Sequence, residues 1–157
     1  MDKIVFITGA SSGIGAGCAR KFASQGASLI LNARNVNKLS ALKEELEKQY
    51  GAKIYLLPFD VRDRKAATSA LESLPKEWQS IDILVNNAGL VIGTDKEQEG
   101  SLDEWDIVID TNIKALLAMT RLIVPGMVER KRGHIINIGS IAGDAAYPGG
   151  SEIGRAH

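Results

Sequence analysis

One stretch of this chain is built to meet phosphate. Thr8-Gly9-Ala10-Ser11-Ser12-Gly13-Ile14-Gly15 follows a short apolar run, Ile4 to Thr8, and precedes a segment with helical periodicity. Glycines let a backbone turn tightly and approach a ligand closely. A helix that starts right after the turn offers unpaired N–H groups and the positive end of its dipole. A flexible serine-glycine turn could have the same composition, but its place after a first strand favours nucleotide binding. Other residues carry chemistry only in context. Asn112 lies on the apolar stripe of a long helix, where an amide must find hydrogen-bond partners. Asp60 could cap the segment that follows it, Asn86 and Asn87 could be turn residues, and Ser140 by itself is a loop serine.

The elements that must position these residues alternate along the chain. Leu29 to Asn32, Ile54 to Phe59, Ile81 to Asn86 and His134 to Gly139 read as further strands. The run at 81–86 is nearly all apolar, as suits a parallel strand covered on both faces. Between them, Ile14, Cys18 and Phe22 mark a first helix, stopped at Gly26. Leu39, Leu42 and Leu46 mark a second, with Glu44 and Lys48 paired on its wet side. Asp63 caps a third helix and Pro75 ends it. After a polar loop over 91–100, Ser101 and Glu104 form a capping box. Trp105, Val108, Asn112, Leu116, Met119 and Ile123 then define one face of the long helix. Arg130, Lys131 and Arg132 complement its C-terminal dipole. The β-α alternation predicts an α/β fold with a doubly wound parallel sheet in the strand order 3-2-1-4-5.

Composition excludes several classes. Hydrophobic residues make up 45% of the 157 and charged residues 24%, ordinary for a soluble globular protein. Lys plus Arg and Asp plus Glu balance at 19 each, so no excess charge points to nucleic acid or an anionic membrane. No apolar stretch is long enough to span a bilayer, and Met1-Asp2-Lys3 leaves no room for a signal peptide before the first strand. Cys18 is the single cysteine, so no internal disulfide forms, and it reads as a small core residue. His134 has no second ligand placed to make a metal site. A cytoplasmic location is the default expectation.

The glycine spacing T-G-x-x-x-G-x-G resembles that of the short-chain dehydrogenase/reductase family, and the likeness runs from about Lys3 to Ser151. Thr8, Gly9, Ser11, Ser12, Gly13, Ile14 and Gly15 match the family's cofactor turn. Asp60-Val61 matches the pair that contacts the adenine, and Asn86-Asn87-Ala88-Gly89 matches the Asn-Asn-Ala-Gly after the fourth strand, where Asn86, Ala88 and Gly89 are expected against the cofactor and the resemblance implies that Asn86 also partly ties strands together. Asn112 and Ser140 fall on the positions of a catalytic asparagine and serine. The resemblance implies a Rossmann-type domain over 1–151, with its C-terminal strands missing, that transfers hydride between a nicotinamide cofactor and a small alcohol or carbonyl substrate. It also implies a homotetrameric or dimeric parent. The neighbourhood of Arg34, Asp60-Val61-Arg62 and 139–143 looks most like the branch acting on serine and other 3-hydroxy acids. The cofactor expected is NADP. No acidic residue stands at the end of the second strand to accept from a ribose 2′-hydroxyl, whereas Arg34 can pair with a 2′-phosphate.

The likeness stops at the end of the chain. The family's proton-donor tyrosine and its lysine fall on positions 153 and 157, which hold Ile153 and His157. Neither side chain can do the work of the residue it replaces. Tyr147 stands too close to Ser140 to substitute and reads as a substrate-pocket residue. The six residues from Glu152 to His157 can be encoded by GAG-ATC-GGA-AGA-GCA-CAC, which contains the start of a common sequencing adapter, so 152–157 is expected to be a non-native tail. The chain as written is expected to be inactive and poorly soluble, because the fifth strand would be an exposed apolar edge. A non-catalytic NADP-binding or regulatory module is the alternative. An epimerase or dehydratase of the extended relatives is disfavoured by the glycine spacing.

Overall fold

The computed structural model describes residues 2–93, 96 and 98–143. Expectations about Tyr147, the 148–151 segment and the 152–157 tail lie outside the described residues. The strands are β1 (Ile4–Ile7), β2 (Ser28–Leu31), β3 (Ile54–Leu56), β4 (Ile81–Asn86) and β5 (His134–Asn137). They form one sheet in the order β3-β2-β1-β4-β5, every neighbouring pair parallel, as expected from the β-α alternation. The helices are α1 (Gly13–Ser24), α2 (Val36–Tyr50), α3 (Arg64–Glu72), α4 (Leu102–Ile109) and α5 (Ala115–Glu129).

Side chains alternate across a strand, and the alternation divides the core between the two faces of the sheet. Val5, Ile7, Leu29, Leu31 and Val85 pack with Leu39, Leu42 and Leu46 of α2 and the small residues of α1. Phe6, Ile30 and Leu84 pack on the other face with Ala67 of α3 and Met119, Ile123 and Met127 of α5. Five of these, Val5, Phe6, Ile7, Leu84 and Val85, come from β1 and β4, which are covered on both sides.

Four local expectations are corrected. The buried face of α1 is Gly15, Ala16, Ala19 and Ala23 rather than Ile14, Cys18 and Phe22. Small residues let this helix lie close on the sheet, while Cys18 and Phe22 are half-buried beside the core and Ile14 is 63% exposed. The wet-side ion pair of α2 is Lys43–Glu47 at 3.6 Å, not Glu44–Lys48. The long helix is not uniform: residues Asp110–Lys114 form a π-helical turn between α4 and α5. The extra residue per turn rotates the buried stripe, so Thr111 and Ala115 are buried where Asn112 and Leu116 were expected. Trp105 is half-buried and packs on Gly100, where an added Cβ would come within 2.5 Å of its ring.

The basic cluster after α5 also does something more specific than answer the helix dipole. Arg130 donates to Ile81 O at 2.7 Å, and Arg132 Nε pairs with Asp82 Oδ1 at 2.7 Å. Asp82 is 4% exposed, and its other oxygen accepts from Ile4 N at 3.0 Å. Two charged groups and a backbone N–H thus clamp the N-terminal ends of β1 and β4. At the far side, β5 is the sheet's exposed edge, and no helix among the described residues is long and apolar enough to cross a membrane.

Candidate functional site

A cleft of about 1260 Å³ opens at the C-terminal ends of the strands. It sits where the chain order reverses, with β2 on one side of β1 and β4 on the other, the position at which open parallel sheets bind ligands. Gly9, Ser11, Ser12, Gly13, Ile14, Arg34, Asp60, Val61, Asn86, Ala88, Gly89, Asn112 and Ser140 all line it. Thr8 and Gly15 stand just behind as its support.

The glycine turn is held from beneath. The Thr8 hydroxyl accepts from Asn87 N and Ala88 N, each at 3.0 Å, and lies 3.4 Å from Val85 O as donor. Asn87 Nδ2 donates to Thr8 O at 3.0 Å and Gly9 O at 3.1 Å. Gly9 has φ +64°, and Gly15 has no room for a side chain: a Cβ there would lie 2.5 Å from Asn87 Nδ2 and closer still to the Gly9 carbonyl oxygen. Above this support, Ser12 precedes α1 in extended conformation without a side-chain cap bond. The first N–H groups of α1 are therefore left for a ligand. Gly13, at φ +52°, has open space where its Cβ would be.

Asn87 is the residue that sequence reasoning passed over in favour of its neighbour. Asn86 is 4% exposed and donates to Thr120 Oγ1 at 3.0 Å and Asn137 Oδ1 at 2.9 Å. Its side chain ties β4 to β5 and α5, while Asn87 grips the glycine turn. Only strand alternation separates these roles, since adjacent residues face opposite ways.

At the other end of the cleft, Arg34 is exposed just past β2. Asp60 follows β3, and Arg62 holds its carboxylate as a fork, with Nε at 3.0 Å from Oδ1 and Nη2 at 2.6 Å from Oδ2. Arg62 N also donates to Asp60 Oδ1 at 3.0 Å. The hydrogen bonds from Arg62 hold the Asp60 carboxyl below the usual carboxylate range, against the opposing effect of partial burial. The charge of Arg34 adds to the same effect. The bond from Arg62 N makes Asp60 a cap of the turn that follows it, while Asp63 caps α3 as expected, accepting from Ala66 N at 3.0 Å.

Asn112 sits in the π turn, half-buried, with its amide bound to a single backbone residue. Oδ1 accepts from Leu90 N at 2.9 Å, and Nδ2 donates to Leu90 O at 2.7 Å. These two bonds answer the requirement that a buried amide be paired, and they fix the chain after Gly89 against the helix. Ser140 follows β5 on the opposite wall, exposed, its hydroxyl accepting from Ala142 N at 3.1 Å. The two ends of the cleft thus differ in chemistry: a glycine-rich turn over an open helix N-terminus at one, and the exposed Arg34 guanidinium at the other.

The family model described as short chain dehydrogenase matches residues 3–152. The chain is 48% identical over 151 residues to the NADP-dependent 3-hydroxy acid dehydrogenase of Escherichia coli (strain K12), covering 96% of this chain and 59% of that protein. Among solved structures, it resembles serine dehydrogenase from Escherichia coli with a TM-score of 0.90 and 48% identity, over 98% of this chain and 69% of the other. It also resembles a closed form of serine dehydrogenase complexed with NADP+, with a TM-score of 0.89 and 46% identity, over 98% of this chain and 60% of the other.

Proposed function

The chain belongs to the short-chain dehydrogenase family, and from that premise we propose that it is the cofactor-binding part of an NADP-dependent oxidoreductase acting on a small alcohol or carbonyl compound. The observation that carries the reading is the pairing of the glycine cradle with Arg34 in one cleft. The N–H groups at the start of α1, with Ser11 and Ser12, hold the pyrophosphate. Arg34 takes the 2′-phosphate, Asp60 and Val61 flank the adenine, and Ala88 and Gly89 border the dinucleotide on the β4 side. A nicotinamide cofactor, when bound, supplies or accepts the hydride.

The chain's own groups bind, orient and handle the proton. The Ser140 hydroxyl bonds the substrate oxygen. Asn112 holds a water of the proton relay at the cleft wall, positioned by its two bonds to Leu90. Ile14, exposed on the lip of the cleft, becomes covered when the cofactor binds. A 3-hydroxy acid such as serine is the proposed substrate class, supported by the relatives' names and by the shared region around Arg34 and Asp60-Val61-Arg62.

Ile153 and His157 stand where the family's tyrosine and lysine belong, so the 157-residue chain is proposed to bind NADPH without turning it over. The 152–157 segment is proposed to be foreign to the protein. Sequencing of the gene through this point decides it: codons other than the adapter string discard the proposal. The function is tested by fluorescence titration with NADPH and NADH. A preference for NADPH that disappears in Arg34→Ala supports the reading, while equal affinity for both cofactors in the unaltered chain refutes it. Oxidation of serine by the unaltered chain, followed through NADPH formation, would refute the proposed inactivity.

A further inference from the structure

Asn32 stands just past β2, 1% exposed, in the segment that carries Arg34. It is the junction of three segments that border the cleft. Its N–H donates to Ile7 O at 3.0 Å, and its carbonyl accepts from Ala10 N at 2.9 Å, inside the glycine turn. Its side-chain Nδ2 donates to Leu57 O at 3.0 Å and to Phe59 O at 3.1 Å. The β2–β3 ladder runs as far as Leu57 N bonding Leu31 O. The regular ladder ends there, just before Pro58. The Asn32 amide takes up the pairing at that point, binding the carbonyls on either side of the proline. Asp60 is the next residue after Phe59, and Arg34 lies two residues beyond Asn32. The amide Oδ1 is buried and has no partner among the described residues, so there the side chain acts through its donor half.

We infer that Asn32 is a positioning residue for the adenosine end of the cleft: its amide holds the Phe59–Arg62 segment against β2, and so sets where Asp60 and Val61 stand relative to Arg34 and the glycine turn. This rests on the proposed dinucleotide reading. The backbone of Asn32 is held by Ile7 and Ala10 whatever its side chain. Replacing that side chain therefore releases the Asp60 segment while Arg34 keeps its place. The consequence is specific. Affinity for every adenine dinucleotide falls by the same factor, and the preference between NADPH and NADH does not change.

The test uses the 157-residue chain with Asn32→Ala, Asn32→Asp and Asn32→Ser, titrated with NADPH and NADH at a temperature well below the melting point of each variant. Asn32→Asp keeps the shape but turns an acceptor toward two carbonyls, whereas Asn32→Ser keeps one donor. Asn32→Ala and Asn32→Asp are expected to lose about tenfold in affinity for both cofactors, the equivalent of one buried hydrogen bond, with Asn32→Ser between them and the wild type. A merely structural role would lower the melting temperature and leave affinity below it unchanged, which overturns the inference. A loss confined to NADPH also overturns it, because it would place Asn32 at the 2′-phosphate. A wild-type chain that binds neither cofactor refutes the dinucleotide reading itself. Wild-type binding with unaltered affinity in the variants refutes only the role of Asn32. Should Asn32→Asp fail to fold, Asn32→Ser and Asn32→Ala carry the same comparison.

Discussion

Two glycines of α1, two residues apart, give opposite answers to the same substitution. Gly15 faces the turn: an alanine Cβ would sit 2.5 Å from Asn87 Nδ2 and closer to the Gly9 carbonyl, and carbon does not approach backbone oxygen at such a distance. Either α1 moves off the sheet or the turn shifts and the Asn87 bonds to Thr8 O and Gly9 O stretch. Overpacking of this kind costs about 1–3 kcal/mol, and one weakened buried hydrogen bond adds about 1 kcal/mol. Gly17 has nothing within 4 Å of its Cβ position, and it lies inside a helix with no positive φ. Alanine there removes a glycine's helical penalty and is expected to stabilise by about 0.5–1 kcal/mol. For a chain of this size each kcal/mol moves Tm by roughly 2–4 °C. Gly15→Ala is therefore expected to lower Tm by about 4–16 °C and to weaken NADPH binding at least tenfold, the turn being displaced. Gly17→Ala should raise Tm by about 1–4 °C and leave binding unaltered. Differential scanning fluorimetry with and without NADPH reads both. Shifts of the same sign in the two variants would refute the packing argument, and so would a Gly15→Ala protein with wild-type affinity.

Three further outcomes follow from the geometry. Lys131 holds φ +52° at the end of α5, so Lys131→Gly should stabilise by about 0.5 kcal/mol, the left-handed cost removed less glycine's greater unfolded entropy, as read by denaturant midpoint. The Asp60 carboxyl is held low by Arg62, so its contribution to stability is present above the ordinary carboxylate pKa, about 3.9, and is lost only as pH falls through the lower folded value. The stability difference between wild type and Arg62→Ala should accordingly stay flat from neutral pH down to about pH 5 and close up only in stronger acid. A difference that vanishes near pH 6 would mean that another group is responsible. The β5 edge exposes Ile135, and a lysine at an open edge opposes strand-to-strand association. Ile135→Lys should raise the soluble fraction and lower light scattering, and unchanged aggregation would point away from this edge.

The sequence by itself determined the order and kind of the elements. Apolar runs separated by amphipathic helical spacing have few parallel arrangements, and right-handed crossovers left the observed strand order as the natural one. It determined where the phosphate cradle lies, because a glycine-rich turn between a strand and a helix is a local feature that its own residues specify. It could also show Arg34 in the place of an acid. What the tertiary structure alone decided is which face each polar residue presents, and to whom. The grip of Asn87 on the glycine turn, beside the strand-tying Asn86, exists only once β4 has β1 beside it. Asn112 leaves the buried stripe because a π turn, invisible in the periodicity, rotates the helix beneath it. Asn32 gains its role from the carbonyls of Leu57 and Phe59, which follow another strand. These partners are 22 to 79 residues distant in the chain or arise from a one-residue change in helical pitch. Hydrogen bonding demands a partner at about 3 Å, and only folding brings those atoms within that reach.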